Sequence, residues 1–172
     1  MKRKVLLFTL LAVGFIFYSC DKNDIEFKEN FKDSKKVWLD FKKQSNDSYK
    51  YTTQGSSWTG NMWQTTITVS KGKIIKRDFK YIRGENIPTN ELEWTENERD
   101  INTHIGTNAS DALTLKEIYE KAEEDWLVKR EKSKPYFEAK NNGMISLCGY
   151  TPEGCMDDCF KGVRINSIEA LK

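Results

Sequence analysis

Apolar positions fall in three patterns along the chain, and each predicts a different element. Near the N-terminus, Val5 to Phe17 is an unbroken run of 13 apolar or neutral residues. Further on, Phe27, Phe31, Ser34, Trp38 and Phe41 recur every three or four positions between Lys, Glu and Asp. That spacing predicts an amphipathic helix of about 15 residues with an aromatic face toward the core. A second helical stripe, Leu115, Ile118, Tyr119, Ala122 and Trp126, follows a start signal of unusual completeness. Thr114 and Glu117 make a capping box, and Leu113 and Ile118 a hydrophobic staple. Lys134-Pro135 then stops the helix.

Between the two helical stripes the period changes to two. Tyr49 to Thr53, Trp63 to Val69 and Ile74 to Ile82 alternate and predict a meander of three strands. Trp63, Thr65, Ile67 and Val69 share one face, as do Ile75, Phe79 and Tyr81. Ser70-Lys71-Gly72-Lys73 is the hairpin turn between the last two. After the second helix, Tyr136 to Lys140, Met144 to Tyr150 and Val163 to Ile168 predict three more strands. Asn141-Asn142-Gly143 is a strong turn signal between the first two. Residues 83–111 have no period except a short strand around Leu92 to Thr95, and a loop of that length is expected to be either functional or mobile. The order helix, three strands, helix, three strands predicts an α+β fold: one antiparallel sheet of five to seven strands with two helices packed on one face.

The leading run is too short to span a hydrocarbon core, which needs about 20 apolar residues. Behind the basic Lys2, Arg3 and Lys4 it fits the h-region of a secretory signal peptide. It ends in Tyr18-Ser19-Cys20, a small residue directly before a cysteine. This resembles the lipobox of bacterial lipoproteins of the Bacteroidota type, with Phe17 where an aliphatic residue is usual. The resemblance implies removal of residues 1–19, lipidation of Cys20 and a lipid anchor in the cell membrane or outer membrane. The partner in that setting is the bilayer itself, reached through Cys20. Residues 20–26 are then the tether and 27–172 a single domain.

Removing the leader changes the charge. It holds three of the 28 Lys and Arg residues and none of the 26 acidic ones, so the remainder carries 25 against 26. The formal +2 of the whole chain is therefore no argument for a nucleic-acid partner.

Cys148, Cys155 and Cys159 lie within 12 residues. In an exported chain a disulfide is the expected state. Cys148–Cys159 would draw together the end of one strand and the start of the next; Cys155–Cys159 is the rival pairing. A metal site would use the three cysteines with Asp157 or Asp158, but one C-x3-C without a nearby His is a poor zinc pattern. His104, the only histidine, stands in a loop and reads as solvated. No metal and no cofactor is expected.

The run of a helix with Trp38, Tyr49-x-Tyr51, Val69-x-x-Gly72-x-Ile74, Leu115-x-x-Ile118-Tyr119 and Gly149-Tyr150-x-Pro152 is similar to a family of small secreted bacterial domains of unknown function. The likeness covers most of residues 36–168, with the cysteine loop as a departure. It implies no active site, and the chain has no G-x-S-x-G, H-E-x-x-H or Cys–His pattern. The expected function is a non-catalytic, anchored interaction domain that meets another envelope protein, of the inhibitor or immunity kind or an assembly factor. Ligand or glycan binding is the alternative, and a small hydrolase a more distant one. Tyr49, Tyr51, Trp58 and Trp63 are the candidate binding surface, on the sheet face that helices leave free.

Overall fold

A computed structural model describes residues 24–85, 87–156 and 159–171. The readings that fall on residues 1–23, including the leader and Cys20, and on Asp157 and Asp158, lie outside the described residues. Two helices and seven strands follow in the order α1 (Lys28–Gln44), β1 (Tyr49–Ser56), β2 (Met62–Ser70), β3 (Lys73–Arg83), β4 (Glu93–Asn97), α2 (Leu115–Lys121), β5 (Ser133–Glu138), β6 (Leu147–Pro152) and β7 (Lys161–Ala170). The strands form one antiparallel sheet in the order β4-β3-β2-β1-β7-β6-β5. The chain thus builds half the sheet as a meander, crosses through α2, and lays the last strand beside the first.

The capping box expected at the start of α2 is present. Thr114 accepts from the Glu117 N–H, and Glu117 accepts from the Thr114 N–H. All five stripe residues, Leu115, Ile118, Tyr119, Ala122 and Trp126, are buried. The helix ends in a π-turn over Ala122–Trp126, with the Leu127 N–H donating to Ala122 O at 3.0 Å. In α1, Phe31, Ser34 and Trp38 are buried. Trp38 stacks on Tyr119 at 4.7 Å between ring centroids, and the Tyr119 hydroxyl lies 2.8 Å from Ser34 Oγ. Burial pushes the Tyr119 phenol up to about 12.

Alternation fixes which side of the strands is covered. Tyr49 pairs with Val69 and Tyr51 with Ile67, and all four are buried. Turn chemistry is as expected at both hairpins: Lys71 and Gly72, and Asn142 and Gly143, have positive φ. One position on β3 differs from the simple alternation. The register shifts between Thr68 and Val69, so Val69 faces Ile74 and Thr68 faces Lys76. This bulge gives Ile74, not Ile75, the place against the core.

The body also begins earlier than the hydrophobic stripe implies. Ile25 is buried and bridges Val128. The Glu26 N–H donates to Leu127 O at 2.7 Å, and the Lys129 N–H to Asp24 O at 3.0 Å. Residues 24–26, expected in the tether, therefore belong to the folded domain.

Candidate functional site

β1 and β7 are paired only between Tyr49 and Thr53 on one side and Ala170 and Ile165 on the other. The register shifts between Thr52, opposite Ser167, and Thr53, opposite Ile165, so Asn166 is left over as a bulge. Its side-chain amide donates to Gln54 Oε1 at 2.6 Å. Beyond that point no ladder joins the two strands. Gln54–Ser56 stays with β2 and Lys161–Arg164 with β6, so the sheet opens into a cleft.

That cleft is a groove of about 700 Å³. Trp63, Trp126 and Phe160 give it aromatic walls; Thr53, Gln54, Asn108 and Ser110 give neutral polar groups, and Asp111 and Arg164 one charge of each sign. Gly55 is what lets Trp63 lie there. The two face each other across β1 and β2, and a Cβ on Gly55 would stand 2.4 Å from the Trp63 indole nitrogen. Only hydrogen in that position leaves room for the ring.

The wall of the groove formed by residues 108–111 is held by a buried ion pair. Arg77 of β3 and Glu96 of β4 meet at 3.2 Å with both side chains shielded from water. Glu96 also accepts from the N–H groups of Asn102 at 2.8 Å and His104 at 2.7 Å. Thr103 Oγ1 donates to it at 3.2 Å and His104 Nδ1 lies at 3.0 Å. Arg77 Nε donates to Ser110 O at 3.0 Å. Burial alone would raise the Glu96 carboxyl, but the two backbone donors, then His104 and Arg77, outweigh it and hold it at about 2. Ser110 is fixed further: its N–H donates to Thr65 Oγ1 at 3.0 Å and its hydroxyl lies 2.7 Å from Thr53 Oγ1. The long aperiodic stretch is thus folded around one carboxylate and delivered to the groove.

His104 is exposed, as its loop context suggests, with 41% of its side chain open to water, but it is not without partners. Its ring lies flat on Trp94, centroids 4.1 Å apart and planes within 4°. A π-face and a buried carboxylate hold it as part of the loop's clamp.

The four expected surface aromatics separate. Tyr49 and Tyr51 do not form an exposed face: each is 1% accessible. The Leu115 N–H donates to the Tyr49 hydroxyl at 2.7 Å, and the Tyr51 hydroxyl donates to Leu113 O. Their hydroxyls can be buried without cost because they pair with backbone groups at the start of α2, one of them an N–H that the helix itself leaves without a partner. Burial raises both phenols. Tyr51 does reach the groove wall, with Trp63. Trp58 stands apart at the tip of the β1–β2 hairpin, 84% accessible.

The cysteine pairing is Cys155–Cys159, and Cys148 is a free, buried thiol. Cys148 lies opposite Phe137 in the β5–β6 ladder and inside the core, which the Cys148–Cys159 expectation does not accommodate: its side chain points into the core, away from the β6–β7 loop. Burial pushes its thiol up, which makes it a poor nucleophile. Among the described residues, no three His, Cys, Asp or Glu side chains are grouped to hold a metal ion. Also among them, no helix is long and apolar enough to cross a membrane.

Comparison of the chain with protein-family models, with curated proteins and with solved structures finds no match.

Proposed function

We propose that the protein is a non-catalytic, lipid-anchored envelope lipoprotein, fastened through Cys20, whose β1–β7 groove receives an extended segment of another envelope protein. The observation that carries this reading is the parting of β1 and β7 beyond Thr53 and Ile165. Two strand edges face each other there with no ladder between them. A polypeptide laid in the gap would find backbone partners on both sides, and its side chains would meet Trp63, Trp126 and Phe160. Main-chain bonding of this kind supplies affinity, and the aromatic pocket supplies selectivity.

The groove walls named above hold one carboxylate, Asp111, and one guanidinium, Arg164, with no histidine or cysteine among them. That set suits binding better than acid–base or nucleophilic chemistry. A covered sheet face belongs to the same reading. Phe41 lies 6.1 Å from Tyr49, and α2 is hydrogen-bonded to the same tyrosine; both support helices packed on one face. Glycan binding is the second reading, favoured by Trp63 beside the amides of Gln54 and Asn108.

The test is capture of partners from the protein's own envelope by wild type and by Ser56→Trp. Ser56 is exposed at the rim of the groove, so a large ring there fills the cleft and leaves the core alone. Wild type is expected to retain one discrete protein that Ser56→Trp loses. Equal capture by both removes the groove from the account. Retention of polysaccharide in place of protein selects the second reading.

A further inference from the structure

We infer that the end of the sheet bearing the β1–β2 hairpin rests on the bilayer, with Trp58 at headgroup level. This rests on the anchored reading of Cys20. Three residues, Asp21, Lys22 and Asn23, separate Cys20 from Asp24. Asp24 already belongs to the body through the Lys129 N–H. From the Cα of Cys20 to that of Asp24 the chain reaches at most roughly 14 Å. The body is therefore held against the membrane on a short stay.

The ladders fix which end is held. Residues 24–26 join residues 127–129, a few positions before β5 begins at Ser133. Ser133 faces Pro152, and Tyr150 faces Lys161, so the β6–β7 loop lies at that end. β7 runs antiparallel to β1 with Ile165 opposite Thr53, which brings the Ser57–Asn61 tip to the same end. Two of the most exposed apolar side chains of the described chain are there: Trp58 at 84% and Met156 at 93%. The opposite end carries the Ser70–Lys73 turn, with Lys71 and Lys73 exposed. A tryptophan with an apolar body and a polar N–H is the side chain that the membrane–water interface favours, and a lone exposed indole beside a lipid anchor has an occupant within reach.

The experiment uses the full-length lipidated protein in phosphatidylethanolamine–phosphatidylglycerol vesicles containing lipids brominated near the top of the acyl chains. Flotation of wild type, but not of Cys20→Ala, tests the anchor by itself. Tryptophan quenching by the bromolipids then tests the orientation in wild type, in Trp58→Phe, and in Trp58→Phe with Lys71→Trp. The expected result is quenching in wild type that Trp58→Phe abolishes and the added Lys71→Trp does not restore. If the protein floats but Trp58→Phe is quenched as strongly as wild type, or Lys71→Trp restores the quenching, the orientation is wrong and the anchor stands. If wild type does not float, both fall.

Discussion

Arg77 and Glu96 meet at 3.2 Å with 5% and 0% of their side chains open to water. Between them they hold both ends of the segment that becomes the groove wall: Glu96 takes Asn102, Thr103 and His104, and Arg77 takes Ser110. Removing one partner strands a buried charge. Glu96→Ala is expected to cost about 3–5 kcal/mol, read as a lower urea midpoint, with new protease cleavage between residues 98 and 110.

The same carboxylate sets an acid limit. Its folded pKa of about 2 lies below the reference 4.5, so its contribution to stability is complete above pH 4.5 and is lost as pH falls toward 2. Thermal unfolding across that window should show a steeper loss in wild type than in Glu96→Gln, which has no proton to gain. Parallel pH curves for the two would show that Glu96 does not govern the acid branch.

Gly55 and Trp63 test the shape of the groove. The backbone at Gly55 lies outside the positive-φ region, so the effect of a side chain there is one of space rather than of backbone strain. Gly55→Ala is expected to displace the indole, at about 1–3 kcal/mol. The fluorescence of a variant whose only tryptophan is Trp63 should shift toward that of a solvated ring. An unmoved spectrum would mean that the ring does not lie over Gly55.

For the cysteines, protein purified without reductant should give no thiol reaction at Cys148 until it is unfolded. Unfolding then exposes one thiol apart from Cys20. Opening the Cys155–Cys159 loop by Cys155→Ala is expected to cost about 2 kcal/mol on the chain-entropy model, because so short a loop gains little. A thiol count of three after unfolding would refute the pairing.

The strands and helices were legible because their signals are local. The capping box at Thr114, the turns at Lys71-Gly72 and Asn142-Gly143, and the stripe from Leu115 to Trp126 each need only neighbours in sequence. Which face of a strand is covered is not local. Tyr49 and Tyr51 alternate correctly, but their burial depends on Leu113 and Leu115, more than 60 residues away. The groove was invisible because it arises where pairing between the first and last strands fails. One signal was present and carried information: Arg77 falls between Ile75 and Phe79 on the alternation. A charge in a core position demands a buried partner, which a search for an acidic residue in the short strand after it would have supplied.

The most direct measurement places a photoreactive benzoylphenylalanine at Met62, on the groove wall, and in a second protein at Lys71, on the far turn, and irradiates each in its native membrane. The groove reading predicts one discrete polypeptide adduct from Met62 and none from Lys71. An adduct of the same protein from both positions, or no polypeptide adduct from Met62, would contradict it.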